Sequence, residues 1–162
     1  MANKASVFLW FDSDALEAAQ FYADTFPDSA VGNITRSSLD VPGAPAGSVQ
    51  VVEMTLCGLP YILLNGGPQE APNDRYSLQV HTDDQAETDR LWNALTGNGG
   101  AEIACGWCKD RWGYRWQITP RALMTAIADP DREAARRAME AMMTMTKIDI
   151  AAIEAARRGL AG

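Results

Sequence analysis

Histidine is nearly absent from this chain, since His81 is the only one among its 162 residues. A single imidazole cannot supply a multi-histidine metal site. Cysteine is also scarce: the thiols are Cys57, Cys105 and Cys108, and an odd number without a secretory signal suits a reducing compartment. Cys105 and Cys108 have the CxxC spacing, but no second cysteine pair and no helix N-terminus accompanies them. We therefore expect structural thiols rather than a redox or zinc site.

Excess basic charge and long apolar runs are missing as well. The formal net charge is −7, which argues against nucleic acid and against an anionic membrane surface as partners, because both are bound through Lys and Arg. No apolar run approaches the roughly 20 residues that span a bilayer. The chain begins Met-Ala-Asn-Lys and continues directly into a strand-like segment without a signal-peptide core. The expectation is a cytoplasmic protein.

Two common catalytic and phosphate-binding motifs are also lacking. The glycine pairs at 66–67 and 99–100 do not give GxGxxG between a strand and a helix. No GxSxG elbow is present, and the only histidine falls in a predicted strand, so a Ser-His-Asp hydrolase cannot be argued.

The chain does contain one sequence pattern that occurs twice, 70 residues apart. Asp14 and Glu17 form a capping-box pattern after a short apolar strand, and Asp84 and Glu87 repeat it after another. A period this long is not that of a solenoid, whose units recur every 20–50 residues or so. The repeat predicts an α+β protein with two βαβ-type modules, and two such modules can enclose a cleft.

Local patterns predict the elements of each module. Apolar residues at 15, 18, 19 and 22 form one helical stripe, and Pro27 ends that helix. The predicted strands are 5–11, 29–36, 48–56, 61–64, 76–82, 101–108 and 114–119, and the second helix is 84–96. We expect one domain over 1–124, made of modules 1–66 and 75–120.

The C-terminal part, 125–162, has no counterpart in the repeat. Asp131–Thr144 places alanines and methionines at helical spacing, and Asp149 begins a second helix that ends before Gly159. This helical extension is expected to be a cover or a dimer contact.

Short motifs recur in order through nearly the whole chain. They are Leu9–Asp12, Phe21–Tyr22, Phe26–Ser29, Leu64–Pro68, Asp89–Trp92, Cys105–Trp107, Lys109–Gly113, Trp116–Gln117, Pro120 and Lys147–Ile150. Together they resemble the vicinal-oxygen-chelate superfamily, which includes glyoxalase I, extradiol dioxygenases and bleomycin-resistance proteins, and within it the PhnB-like branch. The resemblance implies two paired βαβββ modules with appended C-terminal helices. Many members of that branch carry the label 3-demethylubiquinone-9 3-methyltransferase.

The superfamily binds a divalent metal through His and Glu side chains at four equivalent strand positions. The resemblance carries these positions to Ala5, Asn65, Ser77 and Gln117, none of which is a histidine or a carboxylate. Amides and one hydroxyl are poor ligands for Zn, Ni or Fe. We therefore expect no metal or other cofactor, which argues against metal-dependent glyoxalase or dioxygenase chemistry.

Strand alternation groups the candidate ligand-binding residues by face. Gln79 and His81 share a face of one predicted strand, Arg115 and Gln117 share a face of another, and Asn65 follows the first module. If these faces line a cleft, they form a small-molecule site in which Arg115 binds an anion or a carbonyl. The alternative is that they are solvated residues of an outer face.

Three further residues have two interpretations each. Glu53 lies among apolar strand residues and is the candidate general base, or else a structural carboxylate with a hydrogen-bond partner. Cys105 and Trp107 share a face in the predicted strand 101–108, where they are either ligand contacts or core residues.

Three functions remain open. The first is a metal-independent protein that binds a small molecule. The second is an enzyme, a transferase of the labelled kind or an isomerase or lyase, which acts on a carbonyl- or phenol-bearing substrate through Glu53 or Arg115. The third is a structural or regulatory dimer with a vestigial cleft. A homodimer is expected in each case, because open sheet edges are usually paired or covered, and neither nucleic acid nor membrane is expected as a partner.

Overall fold

The structure is a computed structural model that describes residues 4–160. The chain divides into two compact units, unit 1 (Met1–Ala71) and unit 2 (Pro72–Gly162). The boundary falls within the Pro- and Gly-containing loop between the modules. The grouping of both modules into one domain over 1–124 stays a prediction, and the C-terminal helices cluster with unit 2.

Unit 1 is one four-stranded sheet with a helix on one face. Its strands pair in the order β1-β4-β3-β2, with β1 and β4 parallel and the other pairs antiparallel. The elements are β1 (Val7–Phe11), α1 (Ala15–Thr25), β2 (Ala30–Arg36), β3 (Val49–Leu56) and β4 (Leu59–Asn65).

Unit 2 repeats this arrangement with the order β5-β8-β7-β6, and β5 and β8 are its parallel pair. The identical strand order confirms the predicted duplication of a βαβββ module. The elements are β5 (Leu78–Thr82), α2 (Gln85–Thr96), β6 (Ala101–Glu102), β7 (Trp107–Lys109), β8 (Arg115–Pro120), α3 (Arg121–Ile127), α4 (Arg132–Met143) and α5 (Ile150–Arg157).

Helix α1 packs on its sheet through the predicted stripe, since Ala15, Ala18, Ala19 and Tyr22 are all fully buried. The helix ends at Thr25, and Phe26 is extended with φ −104° and ψ 145°. Pro27 explains this end, because the residue before a proline is driven out of the helical region.

The start of α1 differs from the prediction, and Asp14 does not cap it with its side chain. The Ala15 N–H instead donates to Asn65 Oδ1 at 2.8 Å, so the capping oxygen comes from the end of β4. In α2 the predicted cap does form: the Glu87 N–H donates to Asp84 Oδ1 at 2.8 Å. The two copies of one sequence pattern therefore begin their helices differently.

The predicted strand 101–108 is wrong as a single element. A turn at Cys105 and Gly106, with φ of 54° and 82°, separates β6 from β7. The N–H groups of these two residues donate to the carbonyls of Met145 and Thr146, each at 2.8 Å. The carbonyl groups of the C-terminal segment thus accept the hydrogen bonds that a neighbouring strand would otherwise accept.

The C-terminal helices have a core of their own. Helix α3 has no counterpart among the elements predicted from the sequence. It begins directly after Pro120, and proline fits the start of a helix. Helices α4 and α5 confirm the predicted ones, each with the expected aspartate as its cap. Their buried core consists of Leu123, Ala126, Ala138, Ile148 and Ile153. None of the helices in the described residues has the length and apolarity that a membrane crossing requires.

Candidate functional site

Each sheet has one face covered by its helix and one open face. In unit 1 the covered face is apolar and the open face carries Phe8, Trp10, Glu53, Ile62 and Leu64. In unit 2, Val80, Cys108, Trp116 and Ile118 are buried, and the opposite face of the same strands carries Ser77, Gln79, His81, Trp107, Arg115 and Gln117.

Neutral polar side chains are hydrogen-bonded to one another across the open face of unit 2. The Gln117 Nε2 group donates to Ser77 Oγ at 2.8 Å, and the Gln79 Nε2 group donates to Thr119 Oγ1 at 3.2 Å. Strand register places Gln117 between Gln79 and Trp107. The predicted set Gln79, His81, Arg115 and Gln117 is therefore on one face, as alternation suggested, and the register adds Trp107 to it.

Arg115 already has partners within unit 2. Its guanidinium donates to the Asp74 carboxylate and to the Gly113 carbonyl. The side chain of Arg115 is 17% exposed and that of Asp74 is 73% exposed. An anionic ligand would have to displace Asp74 or share the guanidinium with it. The most direct role of Arg115 is therefore to fix the loop before β5.

The cysteines are not arranged as a redox or metal site. Burial, with help from the charges of Asp110 and Glu102, raises the pKa of the Cys108 thiol to about 12. Burial also raises the pKa of Cys57 above its ordinary value. Cys105 lies in the turn before β7 rather than on the strand face of Trp107, so the predicted shared face is wrong.

Asn65 lies on the helix-covered face of unit 1 and is only 4% exposed. Both ends of its amide are engaged by backbone, since Oδ1 accepts from the Ala15 N–H and Nδ2 donates to the Val49 carbonyl at 2.9 Å. The structure therefore places Asn65 away from the open face. Its alternation with buried Leu63 is the signal that indicates this.

Strand register changes which residues of unit 1 correspond to Gln117 and Ser77. Ile62 lies between Phe8 and Glu53 as Gln117 lies between Gln79 and Trp107. The open-face equivalent of Gln117 in unit 1 is thus Ile62 rather than Asn65. By the same register Ser6, rather than Ala5, corresponds to Ser77.

The corrected positions do not fit a transition metal. They offer two hydroxyls, one amide and one hydrocarbon, whereas Zn, Fe and Ni require imidazole, thiolate or carboxylate. Ser77 and Gln117 are also hydrogen-bonded to each other. Within residues 4–160, no three His, Cys, Asp or Glu side chains are grouped so that they could hold a metal ion.

The open face of unit 1 is mainly aromatic and aliphatic. The Trp10 Nε1–H donates to the Gly67 carbonyl at 2.8 Å. A Cβ at Gly66 would lie 2.2 Å from Trp10 Cζ2, so only glycine fits beneath the ring. The Asn-Gly-Gly stretch that begins at the last residue of β4 therefore caps α1 with its first residue and fixes Trp10 with the next two.

Glu53 is an exposed residue on this same face. Its Oε2 accepts from Asn33 Nδ2 at 3.2 Å. It borders a cavity of about 340 Å³, whose lining includes Ser6, Thr55 and Ile62. The carboxylate lies beside apolar side chains, as the sequence indicated, but is not enclosed by them.

The duplicated βαβββ fold with these open faces is that of the vicinal-oxygen-chelate superfamily. The model of the 3-demethylubiquinone-9 3-methyltransferase family matches residues 3–119. The chain belongs to that family, in the PhnB-like branch of the superfamily.

Two solved structures illustrate the likeness. A PhnB protein from Bacillus cereus, whose description proposes the same methyltransferase activity, is 26% identical with a TM-score of 0.64. The match covers 73% of this chain and 99% of that one. A protein from Pseudomonas aeruginosa is 18% identical with a TM-score of 0.59, over 74% of this chain and 98% of that one, and shows the fold alone. No curated protein matches the chain.

Proposed function

We propose that this protein binds a small organic molecule on its open sheet faces without the help of a metal. The observation that carries this proposal is the 2.8 Å hydrogen bond between Ser77 and Gln117. These residues stand at two of the superfamily's metal positions, and here each satisfies the other instead of offering an anionic donor. In unit 1, the residues equivalent to Ser77 and Gln117 by strand register are Ser6 and Ile62.

The unit 2 face has the composition of a recognition surface for neutral polar groups. Gln79 and Gln117 donate with their amide nitrogens, which leaves their amide oxygens as acceptors for a ligand N–H or O–H. Trp107 adjoins Gln117 and offers a half-buried ring as a wall. A few polar groups beside an aromatic surface are typical of small-molecule sites.

The absence of a metal requirement is tested by elemental analysis of tag-free protein. We expect no stoichiometric Zn, Ni, Mn or Fe, and we expect ligand binding to survive a chelator. One such metal per chain would contradict the proposal.

Ligand binding is tested by a thermal-shift screen, because a ligand at 100 times its dissociation constant stabilises the protein by about 2.7 kcal/mol. A ligand of the unit 2 face should bind more weakly to Gln117→Leu. The control is Gln69→Leu, the same change at an exposed residue of the loop between the modules. Equal affinity of both variants for every ligand found would remove the unit 2 face from the proposal.

The second candidate function is methyl transfer, which the description of the matching family favours. A methyltransferase needs S-adenosylmethionine, which is usually held by a glycine-rich turn in a doubly wound sheet, and neither sheet here is of that kind. We therefore expect calorimetry to detect weak binding of that cofactor or none. Micromolar affinity would favour the transferase, with Glu53 and Arg115 as the first residues to substitute.

A further inference from the structure

The open face of unit 1 holds two aromatic rings toward solvent. Phe8 is 55% exposed and Trp10 is 40% exposed. Trp10 is nonetheless fixed, by its hydrogen bond to the Gly67 carbonyl and by the close approach of Gly66. An exposed ring that is already oriented loses little conformational entropy when a ligand covers it. The surface is therefore preorganised for a flat or apolar body.

A carboxylate stands across the sheet from these rings. Ile62 separates Phe8 from Glu53, and with adjacent strands about 4.8 Å apart the two outer residues lie roughly 10 Å from each other. The Asn33 amide contributes a single hydrogen bond to Glu53, whereas a carboxylate has about four acceptor sites. The cavity beside Glu53 has a volume of about 340 Å³, and among the described residues its lining includes no Lys, Arg or His.

We propose that this face binds a small organic ammonium ion with a flat aromatic body. The ammonium group pairs with Glu53 by charge-assisted hydrogen bonds, and the aromatic body covers Phe8 and Ile62 and reaches toward Trp10. The proposal rests on the proposed small-molecule function and names the class of ligand for the unit 1 face.

Charge complementarity selects the cation over an anion. The Glu53 carboxylate attracts a cation at this face, and the net charge of −7 favours the approach of cations. An anion at this face would meet Glu53. In unit 2 the candidate anion-binding residue, Arg115, is already paired with Asp74.

Three probes that share one ring test the proposal on the full chain: tryptamine, indole-3-propionamide and indole-3-propionate, which are cationic, neutral and anionic at pH 7. Titrations followed by ¹⁵N NMR give each affinity and the shift of the Trp10 Nε1–H signal. We expect the order ammonium, amide, carboxylate, with about tenfold between the first and the last. The Trp10 signal should move with tryptamine.

Two substitutions distinguish the contribution of the Glu53 carboxylate to binding from the contribution of the aromatic side chains. Glu53→Gln should weaken tryptamine roughly five- to tenfold and leave the neutral amide nearly unchanged. Phe8→Leu keeps the apolar area but removes the ring on which the aromatic body stacks, so it should weaken tryptamine and the amide to a similar extent. The control Asp24→Asn makes the same change in net charge at an exposed residue of α1 and should preserve all three affinities.

Equal affinity for the three probes, or unchanged tryptamine binding by Glu53→Gln, would overturn this inference. Failure here is distinguishable from failure of the proposed function. If a carboxylate or amide ligand binds and Gln117→Leu weakens it, small-molecule binding stands and the ammonium class is wrong. If neither the probes nor a broad ligand screen gives binding, both proposals fail.

Discussion

Asn65 joins three segments of unit 1 with one side chain. It ends β4, accepts from the first N–H of α1 and donates to the carbonyl of Val49 at the start of β3. A buried amide is well suited to this position because it satisfies a donor and an acceptor at once. Its neighbours Gly66 and Gly67 then fix Trp10, so one short stretch serves both the core and the open face.

We predict that Asn65→Ala destabilises the protein by about 2 kcal/mol. The change removes a helix cap and leaves two buried backbone groups without their partner. The matched control is Asp14→Ala, at the residue that sequence alone suggests as the cap; it should cost less than about 0.5 kcal/mol. Urea unfolding of both variants measures this. A larger loss from Asp14→Ala would show that Asp14 is the true cap.

Cys108 makes stability depend on alkaline pH. Its thiol has a pKa of about 12 in the folded protein and an ordinary value of 9.0. Between these values the unfolded chain releases a proton that the folded protein retains. The free energy of unfolding should therefore fall from pH 9 toward pH 12, by at most about 1.4 kcal/mol per pH unit.

Denaturant unfolding of the wild type and of Cys108→Ala across this pH range isolates the contribution. The variant should be less stable near pH 9, because it leaves a cavity, but its alkaline slope should be shallower. Parallel slopes would mean that other groups cause the pH dependence.

At the scale of elements, the segment 145–150 is the tie between the C-terminal helices and the rest of unit 2. Gln85, at the start of α2, donates to the Ile148 carbonyl at 3.2 Å and accepts from the Ile150 N–H at 2.9 Å. Lys147 forms a salt bridge with Asp89. A hydrogen bond from Lys147 lowers the pKa of Asp89.

We predict that Gln85→Ala loosens α5. The variant loses both hydrogen bonds to the segment, so hydrogen exchange in the peptide 145–157 should accelerate about tenfold or more. Lys147→Met is the comparison, and it should have the smaller effect because its salt bridge is partly exposed. Exchange in 15–25, within unit 1, provides the internal reference. Unchanged exchange in 145–157 would show that the apolar core alone holds α5.

These elements also show which structural features can be predicted from local sequence patterns. The stripe on α1, the caps of α2, α4 and α5 and most strands could be predicted, because their signals lie within a few residues. The turn at Cys105 could not, because its partners, Met145 and Thr146, are 40 residues further along the chain. The cap of α1 by Asn65 was missed for the same reason, with 50 residues between partners.

For the candidate site, alternation correctly grouped the polar residues of the unit 2 face. It could not show that Asp74 forms a salt bridge with Arg115, since that pairing depends on the path of the loop before β5. The aromatic face of unit 1 was also missed as a site. Its signal was the pair Phe8 and Trp10, two residues apart in a strand, facing away from the buried Leu9 and Phe11.

At the scale of the whole molecule, the remaining prediction is a homodimer. Strand β2 pairs only with β3, and six of its seven residues are exposed, with a register shift between Val31 and Ile34. An edge of this length is usually covered by another chain or segment. Light scattering at micromolar concentration should give twice the chain mass of 17.6 kDa.

If β2 forms the contact, Ile34→Lys should shift the dimer toward monomer. Gln20→Lys, which adds the same charge on α1, should not. A monomeric wild type would end the prediction. A dimer that survives Ile34→Lys would place the contact elsewhere, with the exposed methionines of α4, Met139 and Met143, as the next residues to test.

The hydrogen bond between Gln85 and Ile150 spans 65 positions, whereas all of unit 1 lies within Met1–Ala71. During synthesis the ribosome therefore completes unit 1 well before it adds the residues that close the Cys105 turn and anchor α2. At about 5–20 residues per second, the interval between Ala71 and Ile150 is about 4–16 s. Once Leu123 and Ala126 have been added, the nascent second unit exposes them until their partners Ala138, Ile148 and Ile153 follow. A chain stalled between Ala126 and Ala138 should consequently be a better chaperone substrate than one stalled just after Ala71.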